Sequence, residues 1–386
     1  MSLRVLVADD ATLFRRVITD ALASLPDVEV VGSAPNGRIA LEKIRQLKPD
    51  VLTLDLEMPD LDGLGVLAAI REARESVTVI VVSALTRRGG QLTLRALEMG
   101  AFDFITKPEA AGPEESLAAV RRELAPRLRA IAHRRVVHEI LRPPVAATPS
   151  PATPPAPPKR PASPAAPNPV GAAKVELGGI AGRMTRLTTA LIRPEFVLIG
   201  VSTGGPQALA RILPQLPGDL EVPVLVVQHM PPVFTLSLAD SLASRCALSV
   251  CEASANEVLE PRTVYIAPGG RQMRVAHGPG GTRILQITDD PPENNCRPAV
   301  DYLFRSVASQ FPGRAMAVIL TGMGSDGTLG LRLLKRHGCY VIAQDEATCV
   351  IYGMPRAAAE AGVVDSVLPL DAIPSRITAV VRGTRS

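Results

Sequence analysis

The sequence predicts an α/β protein with two parallel-sheet domains in its 386 residues. Three observations point there. Short apolar blocks alternate with stretches of helical spacing in both halves, the pattern of successive βα units. Asp, Ser or His directly follows several of those blocks, at the strand ends where parallel sheets carry their sites. A proline-rich segment divides the two halves.

In the first half, Val5–Ala8, Val28–Val31, Val51–Leu54, Val77–Val82 and Phe102–Ile105 read as strands. Helical spacing shows in Leu13, Val17, Ala21 and Leu22, and again in Ala40, Leu41, Ile44 and Leu47. Five such units imply a doubly wound sheet of five parallel strands. Residues 113–142 then read as mostly helical, with a break at Pro126. Their seven arginines form either a solvated basic face or a partner-binding one.

From Pro143 to Pro169, 12 of 27 residues are proline, mixed with Ala, Ser and Thr. Such a stretch buries too little apolar surface to fold, and proline holds it extended. At ~3.1 Å per residue it spans up to ~80 Å if stiff. It reads as a passive spacer or as a tether for a partner. The expected division is 1–125 for the first domain, 126–194 for the basic helix and linker, and 195–386 for the second domain.

In the second half, strands are expected at Phe196–Ile199, Val222–Val227, Thr263–Ala267, Ile284–Thr288, Met316–Leu320, Cys339–Ala343 and Val363–Val367. Helical stretches lie between several of them. This is a second α/β domain, with a β-rich insertion near 248–288.

Composition narrows the class. Hydrophobic residues make up 46% of the chain, ample for packed cores. Aromatics are only 3% and Trp is absent, so Leu, Val, Ile and Ala must fill those cores. A net charge of +4 is too mild to indicate nucleic acid or a membrane surface. No apolar run reaches the ~18 residues of a membrane span, and Leu3 opens a strand without a signal peptide. A cytoplasmic protein is expected. Cys246, Cys251, Cys296, Cys339 and Cys349 form no Cys-x-x-Cys pair, so reduced thiols rather than a metal site are expected.

The first domain carries an acidic cluster. Asp9 and Asp10 end the first strand, Asp55 the third, Ser83 the fourth, and Lys107-Pro108 follows the fifth. In a parallel sheet these side chains converge on one edge. Close carboxylates repel each other, so a cation is expected, and hard oxygen ligands suit Mg²⁺. A carboxylate beside Mg²⁺ can attack a phosphoryl group, with Lys107 neutralising the added charge and Ser83 hydrogen-bonding to it.

Residues 3–122 resemble a response-regulator receiver domain. The resemblance rests on Asp9-Asp10, on Asp55 within Leu54-Asp55-Leu56-Glu57-Met58-Pro59, and on Asp62-Gly63, Ser83-Ala84 and Lys107-Pro108. It implies a flavodoxin-like fold and phosphorylation of Asp55 by a histidine kinase. It also implies Mg²⁺ held by Asp10, Asp55 and the backbone carbonyl of Glu57, with Asp9 assisting. Ser83 and Phe104 are the implied switch pair.

In the second domain, Ser202 sits in Gly200-Val201-Ser202-Thr203-Gly204-Gly205-Pro206, between an apolar strand and a helix opened by Pro206. A serine on a sharp strand-to-helix turn presents its hydroxyl as a nucleophile would be presented. A serine hydroxyl needs a base. Of His229, His277 and His337, His229 follows the next strand directly, and adjacent parallel strands bring its ring near Ser202. The orienting carboxylate is Asp326, in the glycine-rich loop after the strand Ala315–Leu320. An aspartate there also serves as a helix N-cap. The chain order Ser, His, Asp differs from the α/β-hydrolase order. Dinucleotide and P-loop readings fail, because position 202 breaks G-x-G-x-x-G and no P-loop lysine follows.

This half, from about Phe196 to Val381, resembles the CheB family of chemotaxis-type protein-glutamate methylesterases. The matching segments are Ile199–Gly205, His229-Met230-Pro231, Ile266-Ala267-Pro268, Arg297–Asp301, Leu320–Gly327, Ala343–Glu346 and Gly353-Met354-Pro355. The resemblance implies a Rossmann-like α/β methylesterase domain with Ser202 as nucleophile, His229 as base and Asp326 as orienter. It implies a backbone N–H near Met323 in the oxyanion hole, Thr203 lining the site, and no metal in this half. Cys296 stands where the family often has His.

The resulting expectation is a phosphorylation-activated serine esterase. The resemblance implies hydrolysis of glutamate γ-methyl esters on the cytoplasmic domains of chemoreceptors, and deamidation of receptor glutamines. The unphosphorylated receiver is expected to cover the Ser202 cleft. The reading held against this is a non-enzymatic, receiver-controlled binding module. A transcription factor is disfavoured, since no recognition helix follows the receiver.

Overall fold

The computed structural model describes residues 2–108, 112–140 and 193–384. The proline-rich segment expected between Pro143 and Pro169 lies outside the described residues. In chain order the N-terminal part runs β1 (Leu3–Ala8), α1 (Thr12–Ala23), β2 (Val28–Ala34), α2 (Gly37–Leu47), β3 (Val51–Asp55), α3 (Gly63–Glu72), β4 (Thr78–Ser83), α4 (Arg87–Glu98), β5 (Asp103–Thr106) and α5 (Pro113–Ile140). The strands form one parallel sheet, ordered β2-β1-β3-β4-β5. The order reverses between β1 and β3, where a crevice opens at the carboxyl ends. Ala8 is level with Leu54, so Asp9 stands level with Asp55.

The helix caps are legible in the sequence. Asn36, Asp62 and Thr86 each accept the amide three residues on, opening α2, α3 and α4. The break expected at Pro126 is absent: the proline lies inside α5. Val120, Leu124, Leu128 and Ile131, at helical spacing around it, are buried against Val5, Val7, Ile18 and Leu22 of the N-terminal core. An interior proline costs ~3 kcal/mol. Four buried aliphatic side chains return ~1.5–3 kcal/mol each, so packing outweighs the lost hydrogen bond.

The C-terminal part runs β6 (Phe196–Val201), α6 (Gly205–Ile212), β7 (Val224–Gln228), α7 (Phe234–Ala243), β8 (Ser249–Glu252), β9 (Thr263–Ile266), β10 (Gln272–His277) and β11 (Arg283–Thr288). It continues with α8 (Val300–Gln310), β12 (Ala315–Ile319), α9 (Thr328–Arg336), β13 (Tyr340–Gln344), α10 (Met354–Glu360), β14 (Ser366–Leu368) and α11 (Ile373–Arg382). Seven strands form a second parallel sheet, ordered β14-β13-β12-β6-β7-β9-β8. Its order reverses at β6, the strand that ends in the serine turn.

The expected β-rich insertion divides. β8 and β9 extend the main sheet in parallel, and only β10 and β11 form a separate antiparallel hairpin. β8 and β10 escape a reading of apolar blocks because polar residues interrupt them: Ser249 and Glu252 in one, Gln272, Arg274 and His277 in the other. The last strand starts at Ser366, where pairing with β13 begins, rather than at Val363, which is buried in the core before it.

The two sheets belong to one compact unit. A single apolar cluster joins Leu54, Leu94 and Phe104 of the N-terminal part to Val201, Leu209, Phe234 and Leu238 of the C-terminal part.

Candidate active site

Ser202, His229 and Asp326 lie beyond the ends of β6, β7 and β12, three adjacent strands. Val201 is level with Gln228, so Ser202 stands level with His229. The buried Gln228 side chain ties the two strand ends together, donating to the carbonyls of Ser202 (3.0 Å) and His229 (3.3 Å). Behind the turn, the Ser202 amide donates to Thr321 O (3.0 Å), and the Thr321 hydroxyl donates to Thr203 O (2.9 Å). Gly204 adopts φ 78°, a left-handed turn that a side chain would strain.

Asp326 is the anchor of the site. Its Oδ2 accepts from His229 Nε2 (2.8 Å) and the Val300 amide (2.7 Å). Its Oδ1 accepts from Asn294 Nδ2 (2.8 Å) and the amides of Gly327 (3.0 Å) and Asp301 (3.1 Å). Val300 and Asp301 open α8, so Asp326 does cap a helix, but α8 rather than its own α9. Asp301 returns the arrangement by accepting the Gly330 amide of α9 (2.7 Å). Burial favours the neutral acid, yet these donors outweigh it and hold the Asp326 carboxyl below its usual range.

An ionised Asp326 only accepts, so His229 carries a proton on Nε2, and Nδ1 is the nitrogen left to accept when the ring is neutral. Nδ1 faces the Cys296 sulfur at 3.6 Å. Among the described residues, the Ser202 hydroxyl makes no hydrogen bond to His229. The bond expected from the strand ends is not formed in this conformation, in which Nδ1 faces Cys296 instead. Burial opposes a charge on His229, but Asp326 and then Cys296 raise its pKa to about 9. Asp326 and Cys296 flank opposite nitrogens of the His229 ring.

The Met323 amide lies in the loop that follows β12. Among the described residues it makes no internal hydrogen bond, while Gly322 O accepts from Gly353 (3.0 Å) and Met354 (2.9 Å). A β-carbon at Gly322 would meet Ser202 Cβ at 2.8 Å, so only glycine lets this loop lie against the serine. Thr203 turns elsewhere. Its hydroxyl donates to Asp103 Oδ2 (2.9 Å), at the start of β5 in the N-terminal sheet.

That contact belongs to a larger face. Asp103 also accepts from Arg127 Nε (2.9 Å) and the Phe104 amide (2.9 Å). Phe104 stacks on Phe234 of α7, with ring centroids 4.8 Å apart. Gln207 of α6 donates to Ala101 O (2.9 Å) and Leu97 O (3.2 Å). Arg245 pairs with Glu98 (2.7 Å). Where α4 crosses α7, a β-carbon at Gly90 would meet Ser237 Oγ at 2.7 Å.

The second site lies at the β1/β3 edge. Lys107 Nζ reaches Asp55 Oδ2 at 2.6 Å and Asp9 Oδ2 at 3.2 Å. Asp9 and Asp55 are buried and Asp10 is exposed, and one oxygen from each lies within 4.8 Å of the others. Burial raises Asp9 to about 6 against the pull of Lys107, and raises Asp55 as well. The two carboxylates in turn raise Lys107 against its own burial. Asp9 Oδ2 is buried without a hydrogen bond, and Lys107 approaches it only as an ion partner. Such a donor set fits a hard divalent cation. The Glu57 amide donates to Asp55 Oδ1 (3.3 Å). Ser83 Oγ donates to Gly89 O (3.2 Å), at the start of α4.

The structure brings Ser202, His229 and Asp326 to one edge and Asp9, Asp10, Asp55 and Lys107 to the other, while Thr203 and Phe104 lie in the face between the two parts. Sequence reasoning missed Asn294, Asp301, Asp103 and the contact of Cys296 with His229. The Asn294-Asn295 pair was a readable turn signal. Asp103 and Asp301 carried none, since their partners lie far along the chain.

The family described as CheB methylesterase matches residues 197–377, and the response regulator receiver domain matches residues 5–121. A "Protein-glutamate methylesterase/protein-glutamine glutaminase" of Desulfotalea psychrophila is 44% identical over 99% of both chains. One of the same description from Symbiobacterium thermophilum is 43% identical, covering 98% of this chain and 97% of its own. The crystal structure of the Thermotoga maritima CheB methylesterase catalytic domain is 43% identical, covering 49% of this chain and all of its own (TM-score 0.48).

Proposed function

The chain belongs to the CheB methylesterase family, with a response-regulator receiver domain ahead of the catalytic one, and from that premise we propose how its residues divide the work. The substrate is a glutamate γ-methyl ester on the cytoplasmic part of a chemoreceptor, cleaved to glutamate and methanol. Receptor glutamines lose ammonia by the same route. The protein works in the cytoplasm, and among the described residues no helix is long and apolar enough to cross a membrane.

Ser202 attacks the γ-carbonyl, and His229 takes its proton at Nδ1, because Nε2 is committed to Asp326. The Cys296 thiol must yield that nitrogen first. Asp326 holds the ring and its tautomer and offsets the imidazolium charge. The Met323 amide donates to the oxyanion, and Thr203 lines the site once released from Asp103. His229 returns the proton to methanol, then activates water against the acyl-serine. The carrying observation is the 2.8 Å bond from His229 to an aspartate fully supplied with donors, one strand from a serine on a glycine turn. A binding module has no use for a histidine so oriented. Ser202→Ala should abolish methanol release from methylated receptor membranes, and retained release would sink the nucleophile assignment.

The receiver is phosphorylated on Asp55 by a histidine kinase. Mg²⁺ would be held there by Asp10, Asp55 and the Glu57 carbonyl, with Asp9 assisting, and would offset the crowded negative charge. Lys107 pairs with the added phosphoryl group. The docked face described above is the restraint on the enzyme. A phosphoryl group on Asp55 draws the Ser83 hydroxyl from Gly89 and frees Phe104 from its place on Phe234. Each ~1.4 kcal/mol lost from the face raises the open fraction about tenfold while that state is rare.

A further inference from the structure

Cys296 is delivered to the active centre by a tight turn. Glu293 and Cys296 exchange both backbone hydrogen bonds, the Glu293 amide to Cys296 O (3.1 Å) and the Cys296 amide to Glu293 O (2.7 Å). Asn294 and Asn295 between them have φ 51° and 61°. Two central residues of positive φ form a two-residue hairpin turn, and Asn tolerates that conformation. The Asn294 side chain pins the turn, donating to Asp326 Oδ1 (2.8 Å) and Asp301 Oδ2 (3.0 Å). One turn therefore places an amide on Asp326 and a thiol on His229. The resulting order, sulfur to Nδ1 at 3.6 Å and Nε2 to carboxylate at 2.8 Å, is that of an activated cysteine: nucleophile, base, orienter.

We propose that Cys296 is a reactive thiol of the active centre, activated by His229, and that its covalent modification by a soft electrophile or a peroxide silences the esterase. The inference rests on the reading of His229 as the catalytic base. His229 Nδ1 takes the thiol proton, and the sulfur becomes the nucleophile. With iodoacetamide a carbon–sulfur bond forms, the carbon–iodine bond breaks and iodide leaves. With hydrogen peroxide a sulfur–oxygen bond forms and the oxygen–oxygen bond breaks. Sulfur gives up two electrons, and the departing hydroxide leaves as water with the imidazolium proton. Either adduct sits beside the one nitrogen that Ser202 must use. Access is open: Cys296 is half-buried, and the two asparagines before it are exposed. The other four thiols lack this environment, and burial raises each of them, Cys251 to about 11 and Cys349 to about 12.

The test treats the full-length protein with substoichiometric iodoacetamide, maps the adduct by peptide mass spectrometry, and assays methanol release. The expected first adduct is on Cys296, with activity falling in proportion to it. His229→Gln should slow labelling there about tenfold, the gain an imidazole partner confers on a thiol. First adducts on Cys246, Cys251, Cys339 or Cys349, or full activity in protein wholly modified at Cys296, would overturn the proposal. Mapping the adduct needs no activity. Methanol release without labelling at Cys296 defeats this inference alone. Labelling in a protein that never released methanol defeats the esterase reading and leaves the reactive thiol standing.

Discussion

Both domains place an acidic group at the carboxyl ends of parallel strands, but the two edges are electrostatic opposites. Asp326 accepts five hydrogen bonds and is held ionised below its ordinary range. Asp9 and Asp55 crowd together, share one lysine and are both pushed upward by burial. Topology supplies the location in each case, and the supply of donors decides the chemistry. The Asp326 edge is fully supplied with donors, a fixed charge that orients the His229 ring. The receiver edge is short of positive charge, which suits a site that answers a cation and a phosphoryl group.

The sharpest way to break this contrast is to make one change at both edges. Asp326→Asn should cut methanol release ~10³–10⁴-fold, because the neutral amide holds the wrong tautomer. Asp55→Asn should leave the unphosphorylated rate alone and remove the response to a phosphodonor. Equal effects at both edges would dissolve the distinction.

The next largest effect concerns pH. A base with a pKa of about 9 is mostly protonated at neutral pH. Methanol release by unphosphorylated protein should therefore rise about tenfold per pH unit between 7 and 8. A flat profile would show that His229 is already neutral there. The same shift bears on stability. A histidine raised from 6.5 to about 9 favours the folded state below pH 6.5 and loses that contribution as pH climbs through about 9.

The docked face is tested by crowding it. Gly90→Leu forces a side chain into Ser237 across the α4–α7 contact. Loss of ~1.4 kcal/mol of docking should raise release without phosphodonor about tenfold. An unchanged rate in a folded variant would mean that this face does not restrain the enzyme.

The smallest effect belongs to the receiver carboxylates. Asp9 moves from 3.8 to about 6, so its contribution to stability is greatest below pH 3.8 and is lost as pH rises through about 6. Added Mg²⁺ should raise the melting temperature more at pH 7 than at pH 4.5. Equal shifts would show that the cation does not relieve these charges.

What could be read in the sequence was what runs along the chain. Strand blocks such as Phe196–Ile199 and caps such as Asn36 and Asp62 are local, and so are the residues that follow strand ends. Ser202, His229, Asp326, Asp9 and Asp55 are therefore legible from their positions in the chain. What could not be read depends on partners far apart. Pro126 keeps its helix because Leu124 and Leu128 are buried on the first sheet. Thr203 meets Asp103 a hundred residues away. Cys296 takes the accepting nitrogen of His229 only because a turn of two asparagines folds it back.

The central claim is that a phosphoryl group on Asp55 controls the serine across the docked face. It is tested most directly by methanol release from methylated receptor membranes, using full-length protein and Asp55→Asn, each with and without a small acyl phosphate. The account predicts that the phosphodonor raises release severalfold in the first protein and leaves the second unchanged. Identical rates with and without phosphodonor in the first protein would contradict it.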